Sequence, residues 1–299
     1  MFFDDLIEKI RNKNCACVVG LDTDYESIPD DFKEFFPTDE NGVLICILEF
    51  NKRIINAVKD IVPAVKLQVA FYEVYGSKGM DVFFETARFA HQNGLYVIAD
   101  VKRGDIGSTA EVYSKAYLRK EHINAITVNP YMGFDTLEPF IKDCERYGKE
   151  IFVLVKTSNK GSKDIQDLKV EGKFLYEVVA KELNRLGMGY AGKNGYSFIG
   201  GVVGATYPDE LSKIRRIMYN NFLLIPGYGA QGGTAEDVKY AFNPDGLGAI
   251  INSSRGIIYA YKKENHKGKP FYQASRDEVI SMRDTVNDAV KGFLMEVQR

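Results

Sequence analysis

Short apolar runs recur along this 299-residue chain, and amphipathic stretches separate them. Eight runs have the length of buried strands: Cys15–Leu21, Val62–Lys66, Tyr96–Asp100, Ala125–Val128, Ile151–Val155, Phe198–Val203, Phe222–Pro226 and Ala249–Asn252. Apolar residues at helical spacing predict the intervening helices: Ile45–Lys59, Val82–Gln92, Thr109–Arg119, Leu137–Tyr147, Leu175–Leu186, Glu210–Met218 and Ala235–Ala241, with a last helix over Asp277–Val297. Near-continuous apolar strands that alternate with helices are typical of parallel pairing with the helices outside.

This alternation predicts an α/β fold, and eight such units in a chain of this length suit a single (β/α)8 TIM barrel. An open doubly wound sheet is the alternative. Because no linker, low-complexity tract or internal repeat divides the sequence, we expect one barrel domain over residues 1–299.

Composition narrows the classes of function. An apolar fraction of 45% is enough for a core, and a formal net charge of -2 offers no electrostatic footprint for nucleic acid. No apolar run approaches the length of a membrane span. Four cysteines suggest no disulfide framework, and charges within the first ten residues predict an amphipathic helix rather than a signal peptide. We therefore expect a cytoplasmic protein that binds neither nucleic acid nor membrane.

Candidate chemistry gathers after the strands, where a parallel barrel carries its active site. The third predicted strand ends in Asp100-Val101-Lys102, and Asp105 follows in a loop. Strand alternation places Asp100 and Lys102 on the same face. Two carboxylates and an ammonium are costly to bury unless they pair with each other or with a ligand. A surface ion pair beside a turn is the alternative for this motif alone. The three scattered histidines argue against a histidine-based metal site or catalytic triad.

A glycine-rich segment, residues 227–232, follows the seventh strand and matches Gly-x-Gly-x-x-Gly. A dinucleotide fold would need several more strand–helix units after it and an acidic residue at the end of the next strand. Only one such unit follows here. The context of the motif therefore argues against an NAD(P)-binding site. In barrels the loops after strands seven and eight commonly hold phosphate. With Gln231 and Arg255 as donors, a phosphate monoester is the expected ligand; a glycine-rich turn beside a surface arginine is the alternative.

Taken together, these motifs resemble one known family. The run from Asp100 to Thr109 is similar to the active-site signature of orotidine 5'-phosphate decarboxylases, and most similar to their bacterial type 2 branch. The likeness extends to five further segments: Gly20–Asp22, Lys66, Thr157–Asn159, Pro226–Gly233 and Ser254–Gly256. The resemblance implies a homodimeric barrel, free of metal and cofactor, that converts orotidine 5'-phosphate to uridine 5'-phosphate and CO2.

The resemblance also implies residue roles. It implies an alternating charged network of Lys66, Asp100, Lys102 and Asp105. In this network Lys102 would protonate C6 of the pyrimidine ring, and Asp105 would serve the neighbouring subunit's site. The remaining positions implied to bind substrate are Asp22 and Thr109 at the ribose, Ile106 lining the partner site, Ser158 at the pyrimidine edge, Pro226 at the ring face, and Gln231 with Arg255 at the phosphate. Three features depart from the family pattern: Lys160-Gly161, and the segments Asp30–Asn41 and Tyr259–Tyr272, which are interpreted as insertions.

Three rival functions stay open. A sugar-phosphate decarboxylase or aldolase of the same barrel group resembles the Asp-x-Lys-x-x-Asp motif but uses Mg²⁺ and has a glutamate ligand where this chain has Lys66, which repels a cation. A Schiff-base aldolase needs an uncharged lysine, whereas Asp100 and Asp105 favour a protonated Lys102. A non-catalytic sensor of nucleotide phosphates would keep the phosphate loop without needing Asp100 or Lys102.

Overall fold

The computed structural model describes residues 3–229 and 232–297. Eight strands close into a parallel barrel in the order β1-β10-β9-β8-β5-β4-β3-β2. The ten strands of the described residues, in chain order, are β1 (Cys17–Gly20), β2 (Ala64–Gln68), β3 (Tyr96–Arg103), β4 (Ala125–Val128), β5 (Glu150–Lys156), β6 (Lys169–Val170), β7 (Lys173–Phe174), β8 (Ser197–Val203), β9 (Asn221–Pro226) and β10 (Ala249–Ser253). β6 and β7 form a separate antiparallel hairpin after β5. The predicted (β/α)8 barrel is confirmed.

Helices surround the barrel between successive strands. Those of the described residues are α1 (Asp4–Lys13), α2 (Asp30–Lys33), α3 (Glu40–Val58), α4 (Ala70–Glu73), α5 (Gly76–Gln92), α6 (Gly107–Leu118), α7 (Glu138–Tyr147), α8 (Lys163–Gln166), α9 (Leu175–Gly187), α10 (Pro208–Ile217), α11 (Ala235–Val238), α12 (Arg255–Ile258) and α13 (Phe271–Val297). Within the described ranges, every helix lacks either the length or the apolar character needed to cross a membrane.

Four helix predictions differ from the structure by more than two residues. Two helices begin earlier than expected: α3 begins at Glu40 rather than Ile45, and α5 begins at Gly76 rather than Val82. The helix expected over Ala235–Ala241 is α11 followed by a 3-10 turn over Lys239–Ala241. The last helix begins at Phe271 rather than at the predicted Asp277. The prediction missed this first turn because it includes the polar Gln273 and Ser275, whereas the buried Ser275 hydroxyl bonds to the carbonyls of Ile257 and Phe271.

The amino end of the barrel interior is filled mainly by apolar and aromatic side chains. Phe3 lies inside it, with its ring centroid 5.1 Å from those of both Phe152 and Phe222. These three rings are fully buried and belong to one interior cluster with Tyr96. Aromatic rings at this separation contribute beyond the area they bury. Phe3 therefore acts as a plug at this end.

The same inward-facing rows become polar towards the carboxyl end. Alternate strand residues share a face. On β2, the interior residue Ala64 is followed two positions later by Lys66, and on β3, Ile98 is followed by Asp100. The apolar residues of each strand thus fix which face points inward, and the charged residues at the carboxyl end of the strand lie on that same face.

The two segments interpreted as insertions pack close to each other. The ring of Phe32, from the first, meets Phe271 at 5.0 Å, and Phe271 stacks on Phe50 at 4.5 Å. From the second, the Tyr259 hydroxyl accepts a hydrogen bond from the N–H of Asp24 at 2.8 Å. These segments therefore support the loop that follows β1.

Candidate active site

Four side chains converge on the carboxylate of Asp100 at the carboxyl end of β3. One oxygen, Oδ2, accepts hydrogen bonds from Lys66 Nζ and Gln68 Nε2, each at 3.0 Å. The other, Oδ1, accepts from Lys102 Nζ at 2.6 Å and from the Thr127 hydroxyl at 2.8 Å. Asp100 is only 7% exposed. The carboxylate is therefore held in one orientation by two charged and two neutral donors.

The charges of this cluster reinforce one another. Lys66 is buried and also reaches Asp22 Oδ1 at 3.3 Å. Burial alone would lower the pKa of Lys66, but the carboxylates of Asp100 and Asp22 outweigh burial and raise it. Burial likewise acts to raise the pKa of Asp100, yet Lys66 and Lys102 outweigh it and hold that pKa below its ordinary range. Both groups are charged at neutral pH.

Lys102 differs from Lys66 in its exposure. Its side chain is 44% exposed, whereas that of Lys66 is 4% exposed. The backbone of Lys102 has φ 43°, in the left-handed region that non-glycine residues rarely adopt. The straight-strand alternation used to predict its position therefore does not hold at this residue, although its ammonium does reach Asp100. Lys102 presents a fixed cation to the cavity above.

Gln68 and Thr127 were missed as site residues in the sequence. Gln68 follows Lys66 by two positions on β2, so strand alternation was the signal that places it on the inward face. Thr127 lies on β4, inside a predicted strand whose sequence carries no charge, and nothing in that strand alone signals its contact with Asp100.

A cavity of about 450 Å³ opens above the cluster. Seven of the sequence-predicted site residues line it: Asp22, Lys66, Asp100, Lys102, Ser158, Pro226 and Arg255. This volume suits a ligand of small-molecule size. The carboxyl ends of the strands thus bring the predicted residues together from distant parts of the sequence.

Another part of the cavity lining combines a glycine-rich turn with the guanidinium of Arg255. Gly227 and Gly229 have φ of 100° and 75°, a conformation that favours glycine, and Tyr228 and Gly233 form an isolated parallel bridge. Arg255 follows β10 and is exposed at the cavity. Gln231 lies outside the described residues. A guanidinium beside an open glycine turn can bind a phosphate through two parallel hydrogen bonds.

The loop after β5 brings Ser158 to the cavity and is anchored from below. Lys156, which is 1% exposed, donates to Asp167 Oδ1 at 2.5 Å, and the Gln166 side chain accepts the N–H of Thr157 at 2.9 Å. These bonds tie α8 and the residues after it to the end of β5. This loop contains Lys160-Gly161, which departs from the family pattern. Its geometry is set by the buried Lys156.

Three predicted site residues lie away from the cavity of their own chain: Asp105, Ile106 and Thr109. Among the hydrogen bonds of residues 3–229 and 232–297, the Asp105 carboxylate accepts only the N–H of Ile106, at 2.8 Å. Ile106 and Thr109 are exposed. The chain therefore assembles three members of the predicted four-residue network and leaves the fourth, Asp105, half-buried and outside the cavity.

The arrangement of charges also bears on metal binding. In the part of the chain that the structure describes, no three His, Cys, Asp or Glu side chains are grouped as a metal site requires. The carboxylates of Asp22 and Asp100 instead share the ammonium of Lys66. Like charges repel, so this ammonium opposes a divalent cation at the same place.

Comparison with known proteins identifies the family of this chain. The family model "Orotidine 5'-phosphate decarboxylase / HUMPS family" matches residues 18–267. Proteins named orotidine 5'-phosphate decarboxylase from Caldicellulosiruptor saccharolyticus and Clostridium perfringens are 45% and 44% identical to this chain, each over 97% of it and 99% of their own length. The structure of the Leishmania donovani OMP decarboxylase is 32% identical with a TM-score of 0.75, covering 96% of this chain and 99% of that one. The chain belongs to the orotidine 5'-phosphate decarboxylase / HUMPS family.

Proposed function

We propose that this protein decarboxylates orotidine 5'-phosphate to uridine 5'-phosphate and CO2, by electrostatics alone and without a cofactor. The observation that carries the proposal is the Lys66–Asp100–Lys102 cluster beneath the cavity. The family relationship and the named relatives support the substrate.

The proposed chemistry follows from what the reaction needs. The bond between C6 and the carboxylate breaks, CO2 leaves, and the electron pair stays on C6, where no adjacent group can delocalise it. Lys102 stabilises this negative charge and then gives a proton from Nζ to C6. Its contact with Asp100 at 2.6 Å aims the ammonium before substrate arrives. Solvent then reprotonates the lysine.

The cavity walls suggest how the nucleotide lies. Arg255 takes the phosphate, and Asp22 with Lys66 takes the ribose hydroxyls. Ser158 meets the edge of the pyrimidine, and Pro226 its face. All five line the one cavity, so a single nucleotide can span them. Gln231 is proposed as a second phosphate donor on the basis of the sequence alone.

We also propose that the site is completed by a second copy of the chain. Asp105 lacks a cationic partner among the described ion pairs of its own chain, and Ile106 beside it is 63% exposed. The helix after β3 and the loop after β4 add further exposed apolar residues, Val112, Tyr131 and Met132. Exposed apolar surface of this kind favours a protein interface. In a homodimer, Asp105, Ile106 and Thr109 would then serve the partner's cavity.

Two further expectations go with this function. Residues 1–299 are proposed to act as one barrel domain. The four cysteines are free and buried, which suits a reducing compartment such as the cytoplasm.

The test is to follow the ultraviolet absorbance of orotidine 5'-phosphate with purified protein after exhaustive treatment with EDTA. We expect stoichiometric formation of uridine 5'-phosphate and CO2 at the same rate as without EDTA. Turnover only with added Mg²⁺, and on a sugar phosphate, would favour the related sugar-phosphate enzymes. Tight binding of the nucleotide without turnover would favour a sensor.

A further inference from the structure

The strand pairing changes register beside Lys102. Ala99 on β3 pairs with Ile126 on β4, but the next paired residues are Arg103 and Val128. Three residues of β3, positions 100–102, therefore face the single residue Thr127. Such bulges disrupt the ladder locally and redirect side chains, and they are common next to active sites.

At the bulge the backbone N–H of Lys102 bonds to a side chain of β4. It donates to the hydroxyl oxygen of Thr127 at 2.9 Å. Lys102 has the left-handed φ of 43° at this point, a conformation that costs energy in a non-glycine residue and persists only where its surroundings impose it. Thr127 is 1% exposed, so water does not compete for the bond.

The hydroxyl of Thr127 closes a ring of hydrogen bonds around Lys102. It accepts from the Lys102 N–H and donates to Asp100 Oδ1 at 2.8 Å. That same oxygen accepts from Lys102 Nζ at 2.6 Å. One hydroxyl thereby links the strained backbone of the lysine to the carboxylate that aims its ammonium.

We propose that Thr127 is a positioning residue for Lys102, which holds the β3 bulge and sets where the ammonium lies relative to the reacting carbon. The proposal rests on the proposed function, in which Lys102 protonates C6. If Thr127 only filled buried space in β4, an apolar residue of the same shape would serve equally well. That role does not explain why its hydroxyl accepts a hydrogen bond from Lys102 and donates one to Asp100.

The test replaces the hydroxyl and keeps the shape, with Thr127→Val, and restores it with Thr127→Ser. In Thr127→Val we expect kcat for orotidine 5'-phosphate to fall about 100-fold, the loss typical of a 1 Å misplacement of a reacting group. The KM should change little, because the Thr127 hydroxyl, although Thr127 lines the cavity, already donates to Asp100 and accepts from Lys102. Thr127→Ser should recover kcat to within about threefold of wild type.

Thr136→Val is the matched control. Thr136 is also buried, but its hydroxyl donates to the carbonyl of Gly133 at 2.6 Å and it does not line the cavity. This variant should keep the wild-type kcat. If Thr127→Val does not fold, Thr127→Ala and Thr127→Ser carry the comparison, since both shorten the side chain and only serine keeps the hydroxyl.

The outcomes separate the two proposals. A wild-type protein that does not decarboxylate the nucleotide overturns the proposed function. An active wild type with an equally active Thr127→Val, or with Thr127→Ser as impaired as Thr127→Val, overturns the role of Thr127 alone. Loss of kcat in the valine variant, recovery in the serine variant and an unchanged control support it.

Discussion

Two carboxyl groups are buried at opposite ends of the same barrel, and their surroundings shift their pKa values in opposite directions. Asp100, at the carboxyl end, is 7% exposed and contacts two ammonium groups. Glu150, at the amino end, is 4% exposed and accepts from two neutral donors, the N–H of Phe3 at 2.9 Å and the hydroxyl of Tyr96 at 2.7 Å. Burial raises the pKa of Glu150 to about 7, whereas the pKa of Asp100 is held below its ordinary range.

The difference teaches that partners, rather than depth, decide whether a buried acid is charged. Desolvation opposes the ionised form at both sites. Only at Asp100 do cations overcome it. The carboxyl end therefore keeps a fixed pattern of charge that can act on a ligand, while the amino end keeps a half-neutral acid that holds the plug formed by Phe3.

The largest expected effect comes from removing the exposed cation at the charged end. We expect Lys102→Ala to abolish decarboxylation in a folded barrel, because Lys102 is the group proposed to give C6 its proton. The loss of transition-state stabilisation should exceed the roughly 3–4 kcal/mol typical of one oxyanion donor. Steady-state kinetics with orotidine 5'-phosphate provide the measurement.

Glu150→Gln is the control at the neutral end and should keep its kcat. Turnover of Lys102→Ala within about tenfold of wild type, a loss of only about 1.4 kcal/mol, would contradict the role of Lys102. An equal loss in both variants would show that the two ends are not functionally distinct.

The next prediction tests whether the charged end is incomplete within one chain. If Asp105 acts across a two-fold dimer, a Lys102→Ala chain and an Asp105→Ala chain complement each other. Equal mixing with free exchange makes about half the dimers mixed, and one site in each of these is intact, so about a quarter of all sites should recover. The variants are unfolded and refolded together, exchange is confirmed by mass, and the mixture is assayed.

Each variant alone is the control, since every one of its sites carries a lesion and should stay nearly inactive. Confirmed heterodimers without recovered activity would place Asp105 in the site of its own subunit.

The two ends also differ in how far the sequence predicts them. Strand alternation accounts for the inward positions of Lys66 and Asp100, because both lie on regular strands whose apolar residues face the barrel interior. The bulge at Lys102 depends on pairing with β4, which the local sequence does not reveal. Glu150 was missed because it stands beside Lys149 in a polar turn, and its burial depends on Phe3, 147 residues away. A single chain also cannot supply the partner that Asp105 implies.

A smaller effect is expected in the pH dependence of stability. The folded pKa of Glu150 is raised from an ordinary 4.5 to about 7, so its contribution is fully present below 4.5 and is lost as the pH rises through 7. The shift corresponds to about 3 kcal/mol of unfolding free energy. Nearby Asp5 adds to it, and Lys149 opposes it. Urea unfolding across this range, at one protein concentration, should show the decline in wild type, and the difference between wild type and Glu150→Gln isolates it.

Asp100→Asn is a control for assigning the decline in stability to Glu150. The lowered pKa of Asp100 gives stability that is present above its ordinary 3.8 and is lost only on further acidification. This variant should therefore keep the wild-type decline between about pH 5 and 7. If Glu150→Gln keeps that decline as well, Glu150 is not its source.

The smallest effect should follow from removing one neutral donor, with Tyr96→Phe. The Tyr96 hydroxyl donates to Glu150 Oε2 and stabilises the ionised acid, so its loss should raise the pKa of Glu150 further and move the decline in stability to higher pH. One hydrogen bond contributes about 1 kcal/mol, which corresponds to a move of about one pH unit or less. Tyr196→Phe is the matched control, since that hydroxyl is also buried but bonds to Asp245. A decline that stays in place or moves to lower pH in Tyr96→Phe, with the control unchanged, would mean that Tyr96 does not stabilise the charged form of Glu150.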